Sequence, residues 1–214
     1  MFINDRDLLL LEPNLFRDAS WAGQLLVSAT GDVTGTTLTL STFDVDFDAA
    51  RVDTGYVVVV NGTAYEVISR LSATTATISR LREDESDSPL APSPAVSKPV
   101  TVMTFRPQIS IANAQVLRML GIEPAATGES GVITASDIVN PEDLKLVESF
   151  AALHMIYAAV SSLSSPTSPL VERMELYRQR FATERQRAAA LIDTNGDGIA
   201  DATRRLNVVN LVRR

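Results

Sequence analysis

Residues 55–71 read "GYVVVVNGTAYEVISRL", with Asn61-Gly62 set between two runs rich in β-branched side chains. A two-residue hairpin of the favoured hand needs left-handed backbone at both turn positions, which Asn and Gly tolerate. This stretch therefore commits the first half of the chain to antiparallel sheet. Runs of the same kind surround it: "GQLLVSA", "TGTTLTLST" with Leu38 and Leu40 alternating, "TTATISRL" and "KPVTVMTF". About six short strands separated by turns predict a small closed barrel. Leu15, Phe16 and Trp21, around a break at Pro13, are expected in a core that follows a short N-terminal helix.

The second half is helical, and segregation of strands from helices predicts an α+β chain. In "PQISIANAQVLRMLGI", Ile111, Gln115, Leu117 and Leu120 fall roughly at helical spacing, with Gly121 as the stop. Asn140-Pro141-Glu142-Asp143 reads as an N-cap, a first-turn proline and two acids that suit a helix start. The body that follows, "LKLVESFAALHMIYAAVSSL", is apolar nearly all round, as expected of a helix buried in its own domain or between subunits. Ser168-Pro169 repeats the cap-and-proline device. The next helix carries Leu170, Met174, Tyr177, Phe181, Ala188 and Ile192 on one face, with Glu172, Arg173, Arg178, Glu184, Arg185 and Arg187 opposite. The expected divisions are residues 1–19 (helical), 20–106 (β), 107–203 (helical) and 204–214 (extended tail). Within the β part, 83–98, "EDESDSPLAPSPAVSK", is acidic and then rich in Pro and Ser. It is expected to be a mobile, protease-sensitive loop, either a solvated insertion or an arm that orders on a partner.

Composition narrows the functions. With 214 residues there is room for one generous domain or two small ones, and 45% hydrophobic residues supply a core. The formal charge of −7 disfavours general phosphate binding but suits a surface that does not adhere to passing DNA. There is no cysteine, so disulfides, thiolate metal sites and cysteine nucleophiles are excluded. "MFINDRD" has the wrong charge for a signal peptide, and no run approaches about 20 apolar residues. A soluble protein made in the cytoplasm, with no membrane contact, is expected.

The most suggestive short motif is "DTNGDGIAD". A calcium loop places oxygen ligands at positions 1, 3, 5, 7 and 9, a glycine at 6 and a bidentate acid at 12. The matching residues are Asp193, Asn195, Asp197, Ile199 (through its carbonyl) and Asp201, with Gly198 at the bend; position 12 is Arg204, a cation. Calcium is thus a candidate ligand, completed by a neighbouring chain's carboxylate. The other reading is a helix C-terminal turn stabilised by Asx side chains and two glycines. Asp44, Asp46 and Asp48 alternate in "FDVDFDAA", read either as a solvated turn or as one strand face relieved by a metal. His154, the single histidine, sits on the apolar helix and reads as a core or interface residue. No phosphate loop, nucleophile elbow or dinucleotide fingerprint is present, and a hydrolase built on the three aspartates has no supporting spacing, so no enzyme and no obligatory cofactor are expected. The chain ends in "RRLNVVNLVRR", apolar on both faces and flanked by arginine pairs. It is either a last strand of its own domain or a strand offered to a partner's sheet edge.

Together, "VVVVNGTAYEVISRLSATTATISRLR", "FRPQISIANAQVLRMLGIEP", "NPEDLKLVESFAALHMIYAA" and the stretch from "PTSPLVERMELYRQRF" to the last arginine resemble a head-to-tail adaptor (connector, or neck) protein of tailed bacteriophages or phage-derived particles. The resemblance implies a helical adaptor domain, here with an added antiparallel β-barrel-like domain and an extended C-terminal tail. It implies a structural virion protein in a ring, typically dodecameric, docked beneath the portal protein in the virion neck and assembled in the host cytoplasm. The next neck or tail component, a stopper or tail terminator, would bind the other face, and genomic DNA would pass the lumen without specific binding. By this likeness the portal-binding residues are Arg204, Arg205, Leu206, Val208, Val209, Leu211, Val212, Arg213 and Arg214. Deletion of 206–214 is then expected to leave a folded chain that no longer joins the portal. The alternative from another class is a calcium-dependent binding or adhesion module using residues 193–201.

Overall fold

A computed structural model describes residues 1–124, 132–162, 165 and 167–207. They form two compact units: Asn4–Arg106, and Met1–Ile3 with Pro107–Arg214.

The first unit is a closed antiparallel barrel of six strands: β1 (Gln24–Thr34), β2 (Thr37–Phe43), β3 (Val57–Val60), β4 (Thr63–Arg70), β5 (Thr75–Ser79) and β6 (Ala95–Thr104). Their order around the barrel is β1-β2-β5-β4-β3-β6. Val60 pairs with Thr63 across the expected turn, where Asn61 has φ 49° and Gly62 φ 80°. The register of β1 shifts at Thr30/Gly31, and that irregularity bends the long strand around the barrel. A side chain at Gly31 would place Cβ 2.7 Å from the Thr39 carbonyl oxygen, so only glycine lets β2 approach there. Closure removes free sheet edges. The interior is filled by Val27, Leu38, Phe47, Val58, Val67, Ile78 and Val102, among others.

Val57–Val60 lacks the usual alternation because its outer face is covered too. Helices α1 (Asp5–Leu11) and α2 (Leu15–Asp18) lie against β3, and Leu8, Leu15 and Phe16 are fully or almost fully buried. Phe16 meets Phe105 edge-on at 5.2 Å between ring centroids. Of the residues 1–19 read as a separate N-terminal segment, those from Asn4 onward thus pack in the barrel unit, while Met1–Ile3 belong to the helical unit. Trp21 departs from expectation: it lies in a short 3-10 turn and is 52% exposed.

Asp5 is fully buried and ties α1 to the end of β6. Its carboxylate accepts from Thr104 Oγ1 at 2.6 Å and Phe105 N at 2.8 Å. Burial outweighs these bonds and raises its pKa to about 6. A carboxyl with a raised folded-state pKa adds stability that is complete below its unfolded value and is lost as pH rises through about 6. The wild-type barrel unit should therefore lose about 3 kcal/mol relative to Asp5→Asn between about pH 4 and pH 7, at 1.36 kcal/mol per unit. Denaturant unfolding of both proteins across that range is the check; parallel pH profiles would refute the assignment.

The segment 83–98 is exposed over residues 83–90, as a solvated insertion would be, and is held at several backbone points. Its last residues, from Ala95, belong to β6, and Leu90 pairs with Arg80 through a backbone bridge. Arg82 donates from Nη1 to the carbonyls of Glu85 at 2.7 Å and Asp87 at 2.6 Å. The local carbonyls thus find a buried cation as partner, a source of order that composition does not report.

The second unit contains α3 (Arg106–Met119), α4 (Glu142–Ser161), α5 (Pro169–Arg187) and a small sheet of β7 (Ala189–Ile192) and β8 (Ala202–Arg205). In α3 the buried face is Ile109, Ala112, Val116 and Leu117; Ile111, expected inward, is 60% exposed. Gly121, at φ 69°, ends the helix as expected, and Ile122 N bonds back to the Leu117 carbonyl. By length and composition α4 could cross a membrane, contrary to the expectation from run length, and 61% of its apolar stretch is buried. Asn140 does not cap α4, since it is occupied elsewhere, as described below. Ser168 does cap α5, accepting from Leu170 N with Pro169 in the first turn. The α4–α5 contact is built on rings: Tyr157 stacks on Tyr177 at 5.7 Å, and Phe150 lies 6.0 Å from Tyr177.

Candidate functional site

The last amphipathic helix stops earlier than its periodicity suggests. Ala188 is its C-cap, and Ala189–Ile192, expected as helix, is a strand paired residue for residue with Ala202–Arg205. Ala190 and Ile192 point into the core and Leu191 outward, so alternation replaces the helical period. The other edge of β7 is also engaged. Val139 N donates to the Leu191 carbonyl, and Asp193 N to the Asp137 carbonyl. The Asn140 side chain accepts from Leu191 N at 2.6 Å and donates to the Ala189 carbonyl at 3.0 Å. Asn140 therefore works as a clamp on β7.

The calcium-like motif is the loop of this hairpin and not a helix terminus. The Asp193 carboxylate accepts from the backbone N–H groups of Asn195, Gly196 and Gly198 at 2.7–3.0 Å. Those bonds, led by Gly198, hold its pKa below the usual carboxylate value. Asn195 accepts from Asp197 N, Asp197 from Ile199 N, and Asp201 from Thr194 N and its hydroxyl. Gly196 and Gly198 stand at φ 81° and 82°. All five proposed ligand positions lie on this loop. No grouping of three or more His, Cys, Asp or Glu suited to a metal occurs among the described residues. Arg204, at the twelfth position, has another task. Its Nη1 donates to the carbonyls of Leu120 at 2.8 Å and Gly121 at 3.2 Å, placing a cation at the C-terminal end of α3.

The tail starts from a fixed point. Leu206, 4% exposed, joins a core with Val116, Leu120, Leu144, Ala190 and Ile192, and its N–H donates to the Ala188 carbonyl. Asn207 donates to the Gln186 carbonyl. Of the residues assigned to the portal contact, Arg204 and Leu206 are thus engaged within their own unit and Arg205 is exposed. Val208, Val209, Leu211, Val212, Arg213 and Arg214 lie outside the described residues.

The remaining acids and the histidine are placed simply. Asp44 accepts from Ser28 N and Val45 N, Asp46 from Ala49 N, and Asp48 pairs with Arg70; the three line a turn and share no strand face. His154 is half-buried with Nδ1 3.3 Å from the Met174 carbonyl.

Besides Asp5, two buried carboxylates went unnoticed in the sequence. Glu66, on β4 and 1% exposed, lies between Arg6 Nε at 2.6 Å and Arg82 Nε at 2.7 Å. Glu148, on α4 and fully buried, accepts from Asn113 Nδ2 at 3.0 Å and Phe2 N at 3.2 Å, and burial raises its pKa. Glu66 carried one signal: a charge flanked by Tyr65 and Val67 in a buried strand needs a cation. The hairpin was also marked, since "NGDG" between two short apolar runs is a turn motif.

With calcium present, thermal unfolding of the wild-type chain is expected to shift little against chelator, because Arg204 occupies the position of the bidentate acid and is committed to α3. A large saturable rise in Tm with calcium, lost in Asp193→Ala, would overturn this. No family model, no curated protein and no solved structure matches the chain.

Proposed function

We propose that the chain is a structural, non-catalytic adaptor of a phage-like virion neck. It assembles in the host cytoplasm as a ring, typically dodecameric, beneath the portal protein and receives the next neck or tail component on its other face. DNA passes the ring without specific binding, and no membrane or obligatory cofactor takes part. The observation that carries this reading is the anchored hairpin. β7 and β8 hold the chain to the helical unit as far as Asn207, with Arg205 exposed on the hairpin, and the arginine-ended residues 208–214 follow directly in sequence. A segment that short gains affinity when its origin is preorganised. The α4–α5 pair also leaves Leu146 and Leu176 41% exposed, apolar surface available to a neighbour. The closed barrel offers no free edge, so strand exchange through it is disfavoured.

Co-expression with the portal protein encoded in the same genome tests the reading. The full chain should co-sediment with the portal, and a chain ending at residue 207 should remain folded and fail to do so. Equal binding by both would remove the tail from the contact, and no binding by either would remove the portal.

A further inference from the structure

Two surfaces of this chain carry groups of complementary charge. The first is a groove along α4 and α5 of about 280 Å3, lined by Phe150, Leu176, Gln179, Arg180, Thr183 and Glu184. Phe150 and Leu176 give it an apolar wall, and its charges are Arg180 and Glu184; the Arg180 guanidinium lies 5.8 Å from the Phe150 ring centroid and 5.5 Å from that of Tyr177. In a chain of net charge −7, α5 carries five arginines against three glutamates. Arg178 is taken by Glu175 in a two-pronged pair at 2.7 Å. Arg180, Arg185 and Arg187 make no ion pair among the described residues.

The second surface is the exposed stretch 83–90, which holds four acids and no base. Arg82 fixes its backbone from beneath through the Glu85 and Asp87 carbonyls, and the Leu90 side chain is 52% exposed beside the acids. Glu83 has no partner among the described residues, and Glu85 reaches Arg6 only at 3.6 Å. This is a preordered acidic projection with one apolar side chain, matched to a groove with an unpaired arginine over aromatic rings.

We propose that the α4–α5 groove receives the acidic 83–90 segment of a second copy of this chain. The proposal rests on the ring reading and names its contact. Different surfaces on the two copies make a heterologous interface, the kind that propagates around a ring. Arg180 pairs with the partner's acids while the exposed leucine covers the apolar wall.

Sedimentation velocity of the full chain over a concentration series tests this. Wild-type protein should associate, more weakly at high salt. Arg180→Glu, checked for fold by circular dichroism, should weaken association at least about tenfold, the effect of losing one close interfacial charge pair. Adding Glu83→Arg and Glu85→Arg to that variant should restore association. Assembly that Arg180→Glu leaves unchanged would overturn the contact while the ring stands, leaving the groove to the portal or another neck protein. Loss without rescue would overturn the pairing with 83–90. A wild-type chain monomeric at every concentration would overturn the contact and the ring together.

Discussion

Glu66→Ala should destabilise the barrel unit by about 3–5 kcal/mol, the cost of leaving buried charges uncompensated. The carboxylate accepts from Arg6 Nε, Arg82 Nε and Arg82 N, at 2.6, 2.7 and 3.0 Å. Both guanidiniums are nearly as buried as the carboxylate. Removing it strands two cations away from water. The loss should also reach the 83–90 stretch, because Arg82 holds that backbone and Arg6 Nη2 donates to the Arg82 carbonyl at 2.8 Å. Glu66→Ala should therefore expose 83–90 to limited proteolysis. Replacing all three members by apolar residues of similar volume should cost far less, since the triad must offset its own desolvation. Equilibrium unfolding in urea measures both effects. A Glu66→Ala chain within about 1 kcal/mol of wild type, below the usual cost of an unpaired buried charge, would mean the triad is solvated.

Two truncations isolate what the anchored start of the tail contributes. A chain ending at 207 should unfold like wild type. A chain ending at 205 should lose about 2–5 kcal/mol in the helical unit, the usual cost of removing a large buried aliphatic side chain. Leu206 is the residue responsible, packed among Val116, Leu120 and Ile192. This revises the expectation that everything from 206 onward can be deleted with the fold intact, because Leu206 belongs to the core of its unit. Leu206→Ala in the full chain should reproduce most of the loss. Equal stability of the two truncations would place Leu206 outside the core.

The barrel was readable because its determinants are local. Asn61-Gly62 needs its turn whatever surrounds it, and Leu38 and Leu40 alternate within one strand. The helix ends marked by Gly121 and by Ser168-Pro169 were readable for the same reason. Elements decided by distant partners were not. Ala189–Ile192 continues a helical spacing in sequence and becomes a strand because β8, Asn140 and the 137–139 segment bond its backbone on both edges. Composition marked 83–90 as exposed, which it is, but could not report that Arg82 holds its backbone, and Asn140 looked like a cap because its true acceptor lies 49 positions away. The twelfth position of the calcium-like loop was legible as a mismatch, a cation where an acid is needed, but the reason was not: the Leu120 carbonyl is Arg204's partner.

Assembly state is the most direct test of the adaptor reading. Native mass spectrometry of the purified full chain, with negative-stain images of the same sample, should show closed rings of a single stoichiometry with a central lumen. A homogeneous monomer at every protein concentration and ionic strength tried would contradict it.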